Sequence, residues 1–134
     1  MKFKSFSKSP NDHVDLYAKI VAPNLKTNLY VETWRKNPGN PLESFCTKPS
    51  VENVNEIDLK FSNSKLNGKF GYKDDHSKWA LSKSVALPYI CIGDINRMES
   101  QYKRGGGTTC FQTPQVWKYW DQWVGAVESC DKAY

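Results

Sequence analysis

The stretch Asp74-Asp75-His76-Ser77-Lys78-Trp79-Ala80-Leu81, followed by Tyr89-Ile90-Cys91-Ile92-Gly93-Asp94-Ile95, decides how this chain is read. Both pieces are short, rich in aromatic and branched residues, and separated by a loop that ends in Pro88. That pattern predicts two strands, over His76–Leu81 and Tyr89–Ile95. Strand spacing places His76 and Lys78, two positions apart, on one face. A neutral imidazole can attack phosphorus while a neighbouring ammonium steadies charge on the non-bridging oxygens. A surface histidine beside a lysine is the other reading, and the pair alone does not separate the two. Asp74, Asp75 and His76 also raise a metal site. Adjacent carboxylates leave a strand by opposite faces, which argues against it.

Working outward, Asp12 to Leu25 carries Val14, Leu16, Tyr17, Ile20, Val21 and Leu25 at helical spacing, with Asp12 as cap and Pro23 ending or bending the helix. His13 lies in it beside acidic residues and reads as structural or solvated. Asn28 to Trp34 reads as a strand, and Arg35 to Ser50 as loop, because Pro38, Gly39, Pro41 and Pro49 interrupt regular structure. Val54 to Phe61 alternates like a half-buried strand. Asn63 to Gly71 is a turn region containing the hairpin dipeptide Asn67-Gly68. Lys103 to Thr109 is a glycine-rich loop, and Thr113-Pro114 opens a helix running to about Val127. Helix, strands and closing helix predict an α+β fold, a mixed β-sheet flanked by helices, in a single domain over residues 1–134.

Further groups suit an anion. A strand ending in Gly93-Asp94-Ile95-Asn96-Arg97 can present Asn96 and Arg97 to a phosphate, the guanidinium with two parallel hydrogen bonds. An ordinary strand end would look the same. Arg104 precedes Gly105-Gly106-Gly107, whose backbone amides can form an anion-binding concavity or simply a mobile loop. Trp34, Trp79, Trp117, Trp120 and Trp123 can be base-stacking platforms or core. Three of them share the last helix, where core packing is the plainer account.

Composition narrows the class. The 134 residues fit one domain, and 39% hydrophobic with 13% aromatic residues argues for a folded core. The net charge of +5 favours anionic partners, although a mixed surface would carry it equally well. No apolar run is long enough to span a membrane, so none is expected as a partner. Met1 to His13 is charged without an apolar stretch behind it, unlike a signal peptide. Four cysteines without a C-x-x-C pair read as two disulfides in an oxidising compartment rather than a zinc site, and spacing alone leaves three connectivities open. Four reduced core thiols are the alternative.

Taken together, DDHSKWALS, CIGDINR, KRGGGTTC, a tryptophan-bearing helix and a final cysteine resemble the C-terminal half of the deoxyribonuclease II family. FKSFSKSPNDHVDLY and TNLYVETW fit the same family at the expected places, so the resemblance runs from about Phe3 to Cys130. It implies one half of a phospholipase-D-like architecture, in which two similar halves each bring an H-x-K motif to a shared site. His76 and Lys78 match the H-x-K of the second half, and Asn96 matches an asparagine that helps hold the phosphate. The disulfides implied are Cys91–Cys110 and Cys46–Cys130. So is an acid, metal-independent DNA endonuclease that works through a phosphohistidine, leaves 3′-phosphate ends, needs no cofactor, and is secreted or lysosomal.

One departure matters. Members of the family are far longer, and the first half with its own H-x-K is not in this sequence. His13 is followed by Val14-Asp15 and does not replace it. Nucleophile and acid act as a unit, so a second H-x-K is expected from a separate chain supplying the N-terminal half, or from a two-fold homodimer. The alternative is an inactive secreted DNA-binding or interaction protein that keeps the fold.

Overall fold

The computed structural model describes residues 1–62 and 65–131. Its strands are β1 (Phe3–Lys8), β2 (Leu29–Glu32), β3 (Val51–Val54), β4 (Glu56–Leu59), β5 (Gly68–Gly71), β6 (Trp79–Ser82), β7 (Tyr89–Gly93), β8 (Gly106–Gln112) and β9 (Val127–Glu128). Seven of them form one mixed sheet in the order β1-β8-β7-β6-β2-β3-β9, while β4 and β5 pair as a separate hairpin. Only β2 and β3 run parallel in the large sheet; its other pairings are antiparallel. The fold class is therefore α+β, as the order of a helix, a run of strands and a closing helix predicts.

Period-two side-chain alternation divides the core between the two faces of the sheet. On one face, Leu29, Val31, Ala80, Cys91 and Cys110 pack beneath a helical segment supplying Leu16, Tyr17, Val21, Ala22 and Leu25, all buried. On the other, Leu81, Ile90, Val54 and Trp79 pack under Trp117 of helix α2 (Pro114–Trp123). The disulfides are Cys91–Cys110, between directly opposed residues of β7 and β8, and Cys46–Cys130, which ties the loop before β3 to the chain after β9. Among the described residues, no helix is long and apolar enough to cross a membrane.

Several local expectations give way to tertiary structure. The first helix is shorter than Asp12–Leu25: a wide π-type turn at Tyr17–Val21 runs into an α-helical turn at Ala22–Leu25. Asp12 does not cap it. Its carboxylate accepts the Ser9 N–H at 2.6 Å, and Asp15 instead accepts the Tyr17 N–H at 3.1 Å. Pro23 sits in the first turn of Ala22–Leu25, where a missing N–H costs nothing, and left-handed Lys26 ends the segment. The closing helix stops at Trp123 because Val124 turns extended and bridges Ile57, freeing Val127 to join β9.

Val54–Phe61 is not one strand. The chain breaks at Asn55, whose N–H donates to the Ala126 carbonyl at 2.8 Å. Asn67-Gly68 is not a two-residue turn either, since Gly68 already pairs with Leu59 and Asn67 Oδ1 accepts the Phe61 N–H at 2.9 Å. Asn63 and Ser64 of that turn region lie outside the described residues. The glycine-rich segment also differs: Gly106 and Gly107 are strand residues of β8, paired with Lys8 and Ser7 of β1. A Cβ at Gly107 would lie 2.2 Å from the Phe6 carbonyl oxygen, so the glycine is there for close strand approach. Its N–H donates to Asp94 Oδ1 at 2.9 Å and is not free for an anion.

Candidate functional site

The strand containing His76 starts later than its sequence predicts. β6 begins at Trp79, and Asp75 to Lys78 is an extended loop entering it. The loop is shaped locally: the Asp75 carboxylate accepts the Ser77 N–H at 2.9 Å and the Ser77 hydroxyl at 2.7 Å. Lys78 Nζ donates to the His76 carbonyl at 2.6 Å. The two side chains nevertheless line one open cleft of about 670 Å³, together with Trp34, Trp79, Ile92, Gly93, Asp94, Asn96, Arg104 and Trp120.

Sheet register explains this gathering. Glu32, Trp79 and Ile92 are directly opposed across β2, β6 and β7, so their side chains share one face near one end of these strands. The loop before β6, the segment after β7 and the segment before β8 all leave at that end. They deliver His76 and Lys78, Asp94 and Asn96, and Arg104. Trp34 follows β2 to the same place and lies over His76, with ring centroids 3.8 Å apart and planes 25° from parallel. Its indole N–H donates to the Lys73 carbonyl at 2.9 Å, and its backbone N–H donates to Asn96 Oδ1 at 3.0 Å. The Asn96 oxygen is thus occupied, which turns its amide NH₂ to donor work.

Lys78 in the cleft and Glu32 beside it have shifted proton affinity. Burial, and then the nearby Arg104 charge, lower Lys78 below the ordinary lysine value, against the opposing pull of Asp75 and Asp94. Glu32 is fully buried next to this loop, and neither of its carboxylate oxygens has a hydrogen-bond partner among the described residues. Burial, reinforced by Asp75 and opposed by Arg35, pushes its carboxyl up to about 9. It is a neutral acid at mildly acidic and neutral pH.

Of the residues the sequence offered, His76, Lys78, Asn96 and Arg104 meet in the cleft, with Trp34, Trp79 and Trp120 of the five tryptophans. Arg97 does not. Its guanidinium is buried, donating to Asp15 Oδ2 at 2.7 and 3.0 Å, to the Glu43 carbonyl at 3.2 Å and to Asn53. Those bonds fasten the Asp15 turn to β3, and the expected phosphate contact gives way to a structural ion pair. His13 lies in another cavity, with Val14, Lys19 and Phe45, on left-handed backbone. Trp34 was visible only as an aromatic that could stack on a base or join the core, and Glu32 went unnoticed, because TNLYVETW carries only a strand signal. The Asp94 carboxylate was visible in Gly93-Asp94 but had no partner to give it meaning.

An imidazole, an ammonium, a guanidinium and an amide on one concave surface are donors suited to the oxygens of a phosphate ester. The deoxyribonuclease II family model matches residues 1–130, and the chain belongs to that family. It is 44% identical over 116 residues to deoxyribonuclease-2 of Caenorhabditis elegans, covering 87% of this chain and 29% of that protein. It is 36% identical over 130 residues to deoxyribonuclease-2-alpha of Sus scrofa, covering 97% and 34%. Plancitoxin-1 of Acanthaster planci is 38% identical over 129 residues, covering 96% and 34%. The chain thus spans about a third of the length of these relatives.

Proposed function

We propose that this chain supplies one His–Lys half of a DNA-cleaving site of deoxyribonuclease II type, with His76 and Lys78 at the reacting phosphate and Asn96 and Arg104 on its oxygens. The observation that carries this reading is the convergence of those four side chains on one cleft, His76 fixed by Trp34 and Asn96 oriented by the Trp34 N–H.

In the proposed reaction a neutral imidazole nitrogen bonds to phosphorus as the bond to the 5′-oxygen breaks. A second, protonated imidazole gives its proton to that oxygen. Water then cleaves the nitrogen–phosphorus bond, returning a proton to the second imidazole and leaving a 3′-phosphate. Lys78 and Arg104 carry the charge stabilisation, so the step is proposed without a metal. One imidazole must be neutral and the other charged, which mildly acidic pH allows because free imidazole titrates near ~6.5. The second H-x-K comes from a polypeptide supplying the N-terminal half or from His76 and Lys78 of a second copy across a two-fold axis. The two disulfides fit an oxidising compartment, and with the acid requirement they support a secreted or lysosomal location.

The test is nicking of supercoiled plasmid at about pH 5 with EDTA, below the titration of free imidazole. Wild type and His76→Ala are compared, each alone and mixed with the N-terminal half of a relative. Nicking that is lost in His76→Ala is expected. Nicking that survives it removes His76 from the chemistry, and no nicking in any mixture leaves a binding-only protein.

A further inference from the structure

We propose that the cleft carries, beside its phosphate-binding groups, a subsite for one unstacked nucleobase, formed by Ile92 and Trp120 over the buried Trp79. This rests on the nucleic-acid reading above and specifies what form of strand the cleft takes.

Ile92 sits on an interior strand of the large sheet, yet it is 47% exposed and lines the cleft. It is directly opposed to Trp79 across β6 and β7. Trp120 meets Trp79 edge-on, with ring centroids 5.8 Å apart and planes at 67°. The apolar surface then continues away from His76: Trp120 to Trp123 at 5.5 Å, and Trp123 to Phe61 at 5.2 Å, with Phe61 38% exposed. Core packing does not account for all of this helix. Trp117 is the buried member, its indole N–H donating to the Ser82 carbonyl at 3.0 Å, whereas Trp120 is half-buried and lines the cleft.

The occupant follows from what the cleft places side by side. His76, Lys78 and Arg104 line it together with Ile92, Trp79 and Trp120. A nucleotide joins an anionic phosphate to a flat apolar ring through a single sugar, and this pairing of cations with an aromatic wall is complementary to it. Bases inside a duplex are stacked on both faces and offer none to a wall. The base that fits is one out of the stack, from a single strand or a locally opened duplex.

The test is equilibrium binding, by fluorescence anisotropy, of two labelled hydrolysis-resistant phosphorothioate oligomers of equal length. One is oligodeoxythymidylate and the other has the same backbone with every base absent. The full chain is expected to bind the first about tenfold tighter, in the range of a single stacking contact. Trp120→Ala should weaken the thymidylate about tenfold and leave the abasic oligomer unchanged, with Trp120→Phe restoring most of the loss. Ile92→Gln, at an exposed position that does not threaten folding, should act in the same sense. Equal affinity for both oligomers in the wild type overturns the subsite, as does equal weakening of both by the variants. A dimer that Ile92→Gln dissociates without changing base preference overturns it too, since the wall then meets a second copy. Binding of neither oligomer instead overturns the nucleic-acid reading, and the subsite with it.

Discussion

The indole of Trp34 covers one face of the His76 imidazole at 3.8 Å, and the backbone N–H of the same residue holds Asn96 Oδ1 at 3.0 Å. One residue therefore sets both the imidazole proposed to act at the phosphate and the amide proposed to steady its oxygens. His76 is exposed on a loop, where an unsupported ring would sample several rotamers. Preorganisation of this kind is worth much in catalysis because small misplacements of a reacting group are costly.

Trp34→Ala should accordingly lower plasmid nicking by about 10²-fold with the fold intact. Trp34→Phe keeps a flat ring over His76 and should retain most of the activity. With only two histidines in the chain, the His76 ring signals are simple to assign by NMR, and they should broaden or move in the alanine variant alone. Indistinguishable behaviour of the two variants would dismiss the stacking role.

Glu32 makes folding stability depend on pH, with a sign that can be worked out. Its folded-state value of about 9 stands above the ordinary 4.5, so between those limits the native state holds a proton that the unfolded state has released. The stability contribution is full below the unfolded value and is lost as pH rises through the folded one. The wild type should therefore melt at a higher temperature near pH 5 than near pH 8, a window that lies inside the shift. Glu32→Gln removes the titration and should flatten this dependence, stabilising the protein near neutral pH by up to about 3 kcal/mol. Parallel melting curves for the two proteins would contradict the burial argument.

Arg97 and Arg104 should part company. Arg97→Ala strands the buried Asp15 carboxylate, and breaking a buried pair in this way costs about 3–5 kcal/mol. Denaturant unfolding should show that loss, while the salt dependence of DNA binding by the folded fraction stays as in wild type. Arg104→Ala should leave stability alone and reduce the magnitude of the slope of log affinity against log salt by about one phosphate contact. The opposite assignment would move Arg97 back to the phosphate.

Gly107→Ala tests the close approach of β1 and β8. The added methyl group would meet the Phe6 carbonyl, a backbone atom that moves only if β1 shifts. A loss of about 2 kcal/mol or more is expected, with hydrogen exchange rising first over Phe3–Lys8. Gly68→Ala is the control, because nothing lies within 4 Å of a Cβ there.

The sequence by itself determined a good part of this protein. Aromatic and branched runs around Leu29–Glu32, Trp79–Ser82 and Tyr89–Gly93 are strands because near-continuous runs of this kind suit a sheet with two covered faces. Pro114 opens α2 because its fixed φ and missing N–H suit a first turn. His76 and Lys78 were legible as a pair, and so was the family, because their order along the chain with Gly93-Asp94 and Arg104-Gly105-Gly106-Gly107 is specific. Tertiary structure alone decided the rest. Whether Arg97 grips a phosphate or Asp15 depends on a partner 82 residues away. Whether Gly106 and Gly107 loop out or pair depends on β1, nearly the whole chain distant. Trp34 over His76 and Asn96 under Trp34 are likewise contacts between segments with no local signal for each other. Local propensity acts over a few residues, whereas burial, ion pairing and ring stacking are set by which distant segments the sheet brings together.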